Sequence, residues 1–113
     1  MANFKTAFDI TNGNEGGYSN VPGDHGGETY AGITRKNFPG WPGWTIVDTH
    51  KPLARGAIIN DTVLLHFIET FYRVNFWNRI DGDTMESQEL ANQVYDMAVN
   101  AGVPAALKIL SQS

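Results

Sequence analysis

Glu15, Asp24 and Thr29 are the side chains of this sequence whose types and order could carry hydrolytic chemistry. Asp24 follows Glu15 by nine positions, and Thr29 follows Asp24 by five. Breaking a glycosidic bond needs one carboxyl that stays protonated and donates to the leaving oxygen. It also needs a second group that positions water or stabilises positive charge at the anomeric carbon. Burial raises the pKa of the acid, while polar surroundings keep its partner ionised. A threonine hydroxyl can help orient the water. Acids at this spacing fit plain turn formation as well, because Asp favours turns, so the residue types alone leave both readings open.

The segment that carries these side chains is full of breakers. It holds Gly16, Gly17, Gly23, Gly26, Gly27, Gly32, Gly40 and Gly43, with Pro22, Pro39 and Pro42. Between them Tyr18, Thr29, Tyr30 and Ile33 predict short strands separated by turns. The segment reads as an irregular β-hairpin region or a long ordered loop, and loops of that length inside compact domains are usually functional. Ahead of it, Phe4, Ala7 and Phe8 at helical spacing, with Asn3 as N-cap, predict a first helix over residues 3–13 that Gly13 and Asn14 terminate. A helix end feeding a hairpin can set Glu15 opposite Asp24 across a cleft.

Beyond the glycine-rich lobe the pattern is helical. Residues 34–38 suit one helical turn, and Pro52 to Gly56 could begin a short helix, with no clear pattern over 45–60. Asn60 or Asp61 can cap a helix whose Val63, Leu64, Phe67, Ile68, Phe71 and Tyr72 form an apolar stripe to about Phe76. Asp81-Gly82-Asp83 reads as a turn, and Asp83 with Glu86 as a capping box. Leu90, Val94, Met97, Ala98 and Ala101 line the next helix, which Gly102 stops, and Pro104 opens another.

Composition narrows the classes. A hydrophobic fraction of 42% and an aromatic fraction of 12% fit a globular chain, and 113 residues suffice for one domain. A formal net charge of −4, with Lys and Arg thinly spread, excludes the basic stripe of a dedicated nucleic-acid binder. There are no cysteines, so disulfides, thiolate metal sites and a cysteine nucleophile are excluded. The first residues hold no continuous apolar stretch, which predicts no Sec signal peptide. No stretch is long or apolar enough to span a membrane.

The run Asn14-Glu15-Gly16-Gly17-Tyr18-Ser19-Asn20 resembles the Glu-Gly-Gly-Tyr signature of glycoside hydrolase family 108, lysozyme-like N-acetylmuramidases of phages and bacteria. Asp24-His25-Gly26-Gly27-Glu28-Thr29, with Gly32-Ile33-Thr34, resembles that family's Asp-x-Gly-Gly-x-Thr and Gly-Ile-Thr pattern. Phe71-Tyr72-Arg73 with Phe76-Trp77 is similar to its Tyr-Arg-x-x-Tyr-Trp helix end, and Asp96 to Gly102 to its Asp-x-Ala-Val-Asn-x-Gly helix. The Glu, Asp and Thr spacing is also similar to the catalytic trio of phage T4-type lysozymes, over this short segment only.

The resemblance implies a mainly α, lysozyme-like helical domain with a small glycine-rich β/loop lobe. It implies hydrolysis of the β-1,4 bond between N-acetylmuramic acid and N-acetylglucosamine in peptidoglycan, with no cofactor. Carried over by position, Glu15 is the proton donor, and Asp24, helped by Thr29, positions water. The expected partners are peptidoglycan glycan strands, with no nucleic acid and no membrane insertion. The expected place of action is the cell wall, after cytoplasmic synthesis and holin-type or other release. His25 stands where members often have a small residue or Pro. The peptidoglycan-binding helices that usually follow are expected to be missing after Ser113, so Val103, Leu107 and Leu110 predict either self-association through the C-terminal helices or a missing segment supplied by a longer native chain. The rival expectation is a catalytically silent peptidoglycan-binding or phage-structural module of the same fold.

The remaining candidates each carry a plainer alternative. Tyr18 and Tyr30 can stack on sugar rings as substrate-binding residues, or cover the core of the lobe, as can Trp41 and Trp44. Asn100 can hydrogen-bond either substrate or backbone. Arg73 and Arg79 read as solvated helix-end charges before they read as a grip on an acidic group. His25, His50 and His66 are too scattered for a metal site, and Met85 breaks any calcium-loop pattern at Asp81.

Overall fold

The computed structural model describes residues 1–13, 17–20 and 27–112. The fold is mainly α with a small β lobe, as the sequence predicts. The chain groups into two compact units, Met1–Asn14 with Glu69–Ser113, and Glu15–Ile68.

In the first unit, α1 spans Phe4–Asn12. The Asn3 side chain accepts from the Thr6 N–H at its start, and the Gly13 N–H returns to the Asp9 carbonyl at its end. The capping and the apolar spacing both match the expectation. Phe4, Ala7, Phe8 and Asn12 form its buried face. Phe4, Trp77 and Tyr95 pack as a triangle of edge-oriented rings, with centroids 5.6, 5.8 and 6.0 Å apart. Such pairs add about 0.5–1.5 kcal/mol each beyond their area burial. The Tyr95 hydroxyl donates to Asn12 Oδ1 at 2.6 Å inside this core.

α4 (Gln88–Ala101) is capped by Ser87, whose hydroxyl accepts from the Leu90 N–H. This corrects the expected Asp83–Glu86 box. Asp83 is drawn elsewhere: it accepts from Trp77 Nε1 at 2.8 Å and from Arg73 Nη2 at 3.1 Å. Gly102, at φ 97°, ends the helix, and α5 (Val103–Gln112) follows with Pro104 in its first turn. Val103 and Ala106 are buried, while Leu107 and Ile109 are 43% and 41% exposed.

In the second unit, β1 (Tyr18–Ser19), β2 (Thr29–Tyr30) and β3 (Ile33–Thr34) form an antiparallel sheet in sequence order. A two-residue turn joins β2 to β3 with both central residues at positive φ, Ala31 at 52° and Gly32 at 82°. That conformation matches the strand twist. The outer side of β1 is covered by backbone: the Tyr18 N–H donates to the Ala57 carbonyl, and the Gly56 N–H donates to the Tyr18 carbonyl. Gly17 permits this approach, because a Cβ there would lie 2.9 Å from the Gly56 carbonyl oxygen.

These bonds explain a miss. Pro52 to Gly56 does not open a helix, because Gly56, at φ 83°, turns the chain into pairing with β1. Residues 34–38, by contrast, do make the one turn expected of them: the Phe38 N–H donates to the Thr34 carbonyl at 3.0 Å. The helix of this region, α2, lies earlier, at Gly43–Thr49, where Trp44 and Val47 are buried.

α3 runs over Thr62–Tyr72, capped by Asp61, whose carboxylate accepts from the Val63 and Leu64 N–H groups. It widens into a π-helical turn, Arg73–Trp77, instead of continuing regularly to Phe76. Two short 3₁₀ turns follow, Asn78–Ile80 and Gly82–Thr84, around Asp81 in the left-handed region. Among the described residues no helix is long and apolar enough to cross a membrane.

Candidate active site

The sheet of the Glu15–Ile68 unit has two chemically different faces. Opposed residues of an antiparallel pair share a face, and successive residues alternate between faces. The register pairs Tyr18 with Tyr30 and Tyr30 with Ile33, and it pairs Ser19 with Thr29 and Thr29 with Thr34. One face is therefore Tyr18, Tyr30 and Ile33, all buried. The other is a row of hydroxyls from Ser19, Thr29 and Thr34, each half-buried. Thr29, expected to help orient water, sits in the middle of that row.

On the buried face the tyrosine hydroxyls are committed to protein. Tyr30 is 3% exposed, and its hydroxyl accepts from the Ile59 N–H at 2.9 Å. Tyr18 is 7% exposed, and its hydroxyl donates to Glu28 Oε2 at 2.6 Å. The Lys51 ammonium stands over the Tyr18 ring, 5.8 Å from its centroid. Both rings are thus buried among the described residues of the lobe. Tyr30→Phe would strip the Ile59 N–H of its acceptor. A buried unmet donor costs about 1–3 kcal/mol, so the substitution is expected to lower the thermal midpoint measurably. An unchanged midpoint would show that water or another group replaces the hydroxyl.

Glu28, one residue before β2, is the hub of an ionic network. Its carboxylate, 13% exposed, accepts from Tyr18, from Arg35 Nη1 at 3.1 Å and from Lys51 Nζ at 2.5 Å. Arg35 also forms a two-pronged pair with Asp48 at 2.8 and 2.9 Å, and Lys51 closes the circuit to Asp48 at 2.9 Å. The Arg35 guanidinium lies over the Trp44 ring, 5.1 Å from its centroid. Burial works to raise the Glu28 pKa, but the hydrogen bonds from Lys51, Tyr18 and Arg35 outweigh it and hold the carboxyl below its ordinary value. Asp48 is held well below the carboxylate range by its bonds from Arg35 and Lys51. Burial and the bond to Glu28 push the Tyr18 phenol up.

Carboxyls with depressed folded-state pKa values stabilise the fold fully above their unfolded values, here 4.5 for Glu28 and 3.8 for Asp48, and lose that contribution as pH falls toward the folded values. Acid is therefore expected to loosen this unit progressively from about pH 5 downward. Thermal midpoints across that range check it. Asp48→Asn should flatten the dependence, and an equally steep fall in that variant would contradict the assignment.

The sequence-expected residues are placed as follows. Glu15 and Asp24 lie outside the described residues, as does His25. Tyr18, Thr29 and Tyr30 come together in the sheet. Asn100 lies in the last turn of α4, where its Nδ2 donates to the Asp96 carbonyl at 2.9 Å and to Asp96 Oδ1 at 3.2 Å. Of the two partners expected for it, the structure contains the backbone. Asp96 Oδ1 also accepts from the Thr11 hydroxyl, near the end of α1. Arg73 pairs with Asp83 at 3.1 Å. Among the described residues no group of His, Asp or Glu could hold a metal ion.

The Glu28 network was not foreseen. Its trace in the sequence is alternation: a glutamate just before Thr29 must share the face of Tyr18 and Tyr30, and Arg35 just after Thr34 must join it there.

A family model for glycosyl hydrolase 108 matches residues 8–102, which takes in the second half of α1, the lobe and all of α4. The chain belongs to glycosyl hydrolase family 108. No curated protein and no solved structure matches it. A family 108 chain is a glycosidase, so its chemistry is hydrolysis of a glycosidic bond.

Proposed function

We propose that this family 108 hydrolase is an N-acetylmuramidase. It cleaves the β-1,4 bond between N-acetylmuramic acid and N-acetylglucosamine in peptidoglycan. Glu15 is the general acid, and Asp24, helped by Thr29, positions the attacking water. The single observation that carries the reading is the family match over residues 8–102, which encloses the Glu-Gly-Gly-Tyr run and all three side chains. The hydroxyl row supports it, because Thr29 lies on the polar face of the sheet, away from the tyrosines.

Tyr18, Tyr30 and Asn100 belong to the substrate side in this proposal. The tyrosines contribute by holding the strand pair, or at most by a ring edge. The substrate partner is the glycan strand of the cell wall, reached after release from the cytoplasm. Leu107 of α5, with the similarly exposed Ile109, is the surface for self-association, whereas Val103, expected to share in it, is buried.

The test is clearing of a purified cell-wall suspension, free of other hydrolases. The protein should clear the suspension and generate new reducing ends. Binding to walls without new reducing ends would instead support a silent wall-binding module.

A further inference from the structure

The hydroxyl row and the ionic network lie on opposite faces of the same strands. Glu28 immediately precedes Thr29, and Arg35 immediately follows Thr34. Through its carboxylate Glu28 reaches β1 at Tyr18, the residue after β3 at Arg35, and the residues after α2 at Lys51. Its backbone carbonyl also accepts from the Arg35 N–H at 2.9 Å, extending the β2–β3 ladder. The strands are only two residues long. So short a sheet has few ladder bonds of its own to fix its geometry. A mostly buried carboxylate that bonds partners from several segments supplies what the ladder lacks.

We propose that Glu28 is a positioning residue for the glycosidase site: from the buried face it locks the strands that present Ser19, Thr29 and Thr34, and so sets the placement of the Thr29 hydroxyl. The inference rests on the reading that Thr29 serves glycan hydrolysis. It assigns Glu28 no contact with sugar. Ser19 and Thr34, the neighbours of Thr29 on the polar face, are then held at fixed distances from it, and the three hydroxyls form one surface for the hydroxyl and acetamido groups of a glycan.

Glu28→Gln keeps the shape and the acceptor for Tyr18 but removes the charge that binds Lys51 and Arg35. Misplacement of a reacting group lowers turnover more than binding, so kcat on soluble wall fragments should fall about tenfold or more, with KM within about twofold. Measurements are made well below the thermal midpoint of each variant. Amide exchange at Tyr30 and Arg35, whose N–H donates to the Glu28 carbonyl, should speed up. Glu28→Asp, which restores the charge on a shorter arm, should recover part of kcat. Lys5→Ala breaks an ion pair with Glu69 in the other unit. It serves as the matched control, with wild-type kcat.

Wild-type kcat in Glu28→Gln, or a loss that Lys5→Ala reproduces, would overturn the proposal. Unchanged amide exchange at Tyr30 and Arg35 would overturn it as well. If the wild-type protein forms no reducing ends, the hydrolase reading fails by itself, while the exchange rates still decide whether Glu28 locks the sheet.

Discussion

Glu15→Gln is expected to lower wall hydrolysis by about 10²- to 10⁴-fold, the range that a positioned general acid contributes. The change removes the transferable proton but keeps the side-chain shape. The helix leading to position 15 is anchored by Phe4, Ala7 and Phe8, and by the Tyr95–Asn12 bond. The fold should therefore survive, and the thermal midpoint should stay close to wild type. Both properties need measuring together, since a loss of activity with a loss of structure identifies no catalyst. Retention of more than about a tenth of wild-type activity would remove Glu15 from the role of acid, given the contribution expected of such a group.

The largest expected effect on stability comes from Trp77→Ala. Trp77 is fully buried, packs against Phe4 and Tyr95, and donates from Nε1 to Asp83. Its ring also lies against Gly82 so closely that a Cβ there would fall 2.3 Å from ring carbons. Removing so large a buried ring costs about 3–5 kcal/mol. A small domain has only about 5–15 kcal/mol in total. The melting temperature should drop by more than about 10 °C, and circular dichroism on heating measures it. A drop of a few degrees would mean that neighbours collapse into the space, and the aromatic triangle would no longer be the keystone of this unit.

How far the sequence foretold the molecule depended on what each signal had to compete with. α1 was legible because its apolar spacing, its Asn3 cap and its Gly13 stop agree. The apolar register of α4 was legible too, but its cap was not. Asp83 has the right type for a cap, yet the Trp77 indole and Arg73 claim its carboxylate, and Ser87 caps instead. α2 was hidden because glycine and proline flank Trp44 and Val47, and tertiary burial outweighs those breakers. The segment from Pro52 to Gly56 was misread for the converse reason: its backbone is spent on β1, a pairing no local pattern announces.

In the site, residue types and motif order pointed to Glu15, Asp24 and Thr29, and alternation placed the described one, Thr29, on the polar face. The fate of the tyrosines was not legible. Stacking and core packing need the same ring, and no local pattern names the partners of the two hydroxyls, Glu28 and the Ile59 N–H. The same partners turned up Glu28, whose role depends on Arg35, Asp48 and Lys51 from distant parts of the lobe.

The central claim is the identity of the bond. Purified peptidoglycan is digested with the protein, the new reducing ends are converted to sugar alcohols with borohydride, and the alcohols are identified after acid hydrolysis. Cleavage after N-acetylmuramic acid predicts muramitol, formed by the wild-type protein and absent with Glu15→Gln. Glucosaminitol in its place, or fragments ending in a 1,6-anhydro sugar with no new reducing end, would contradict the account.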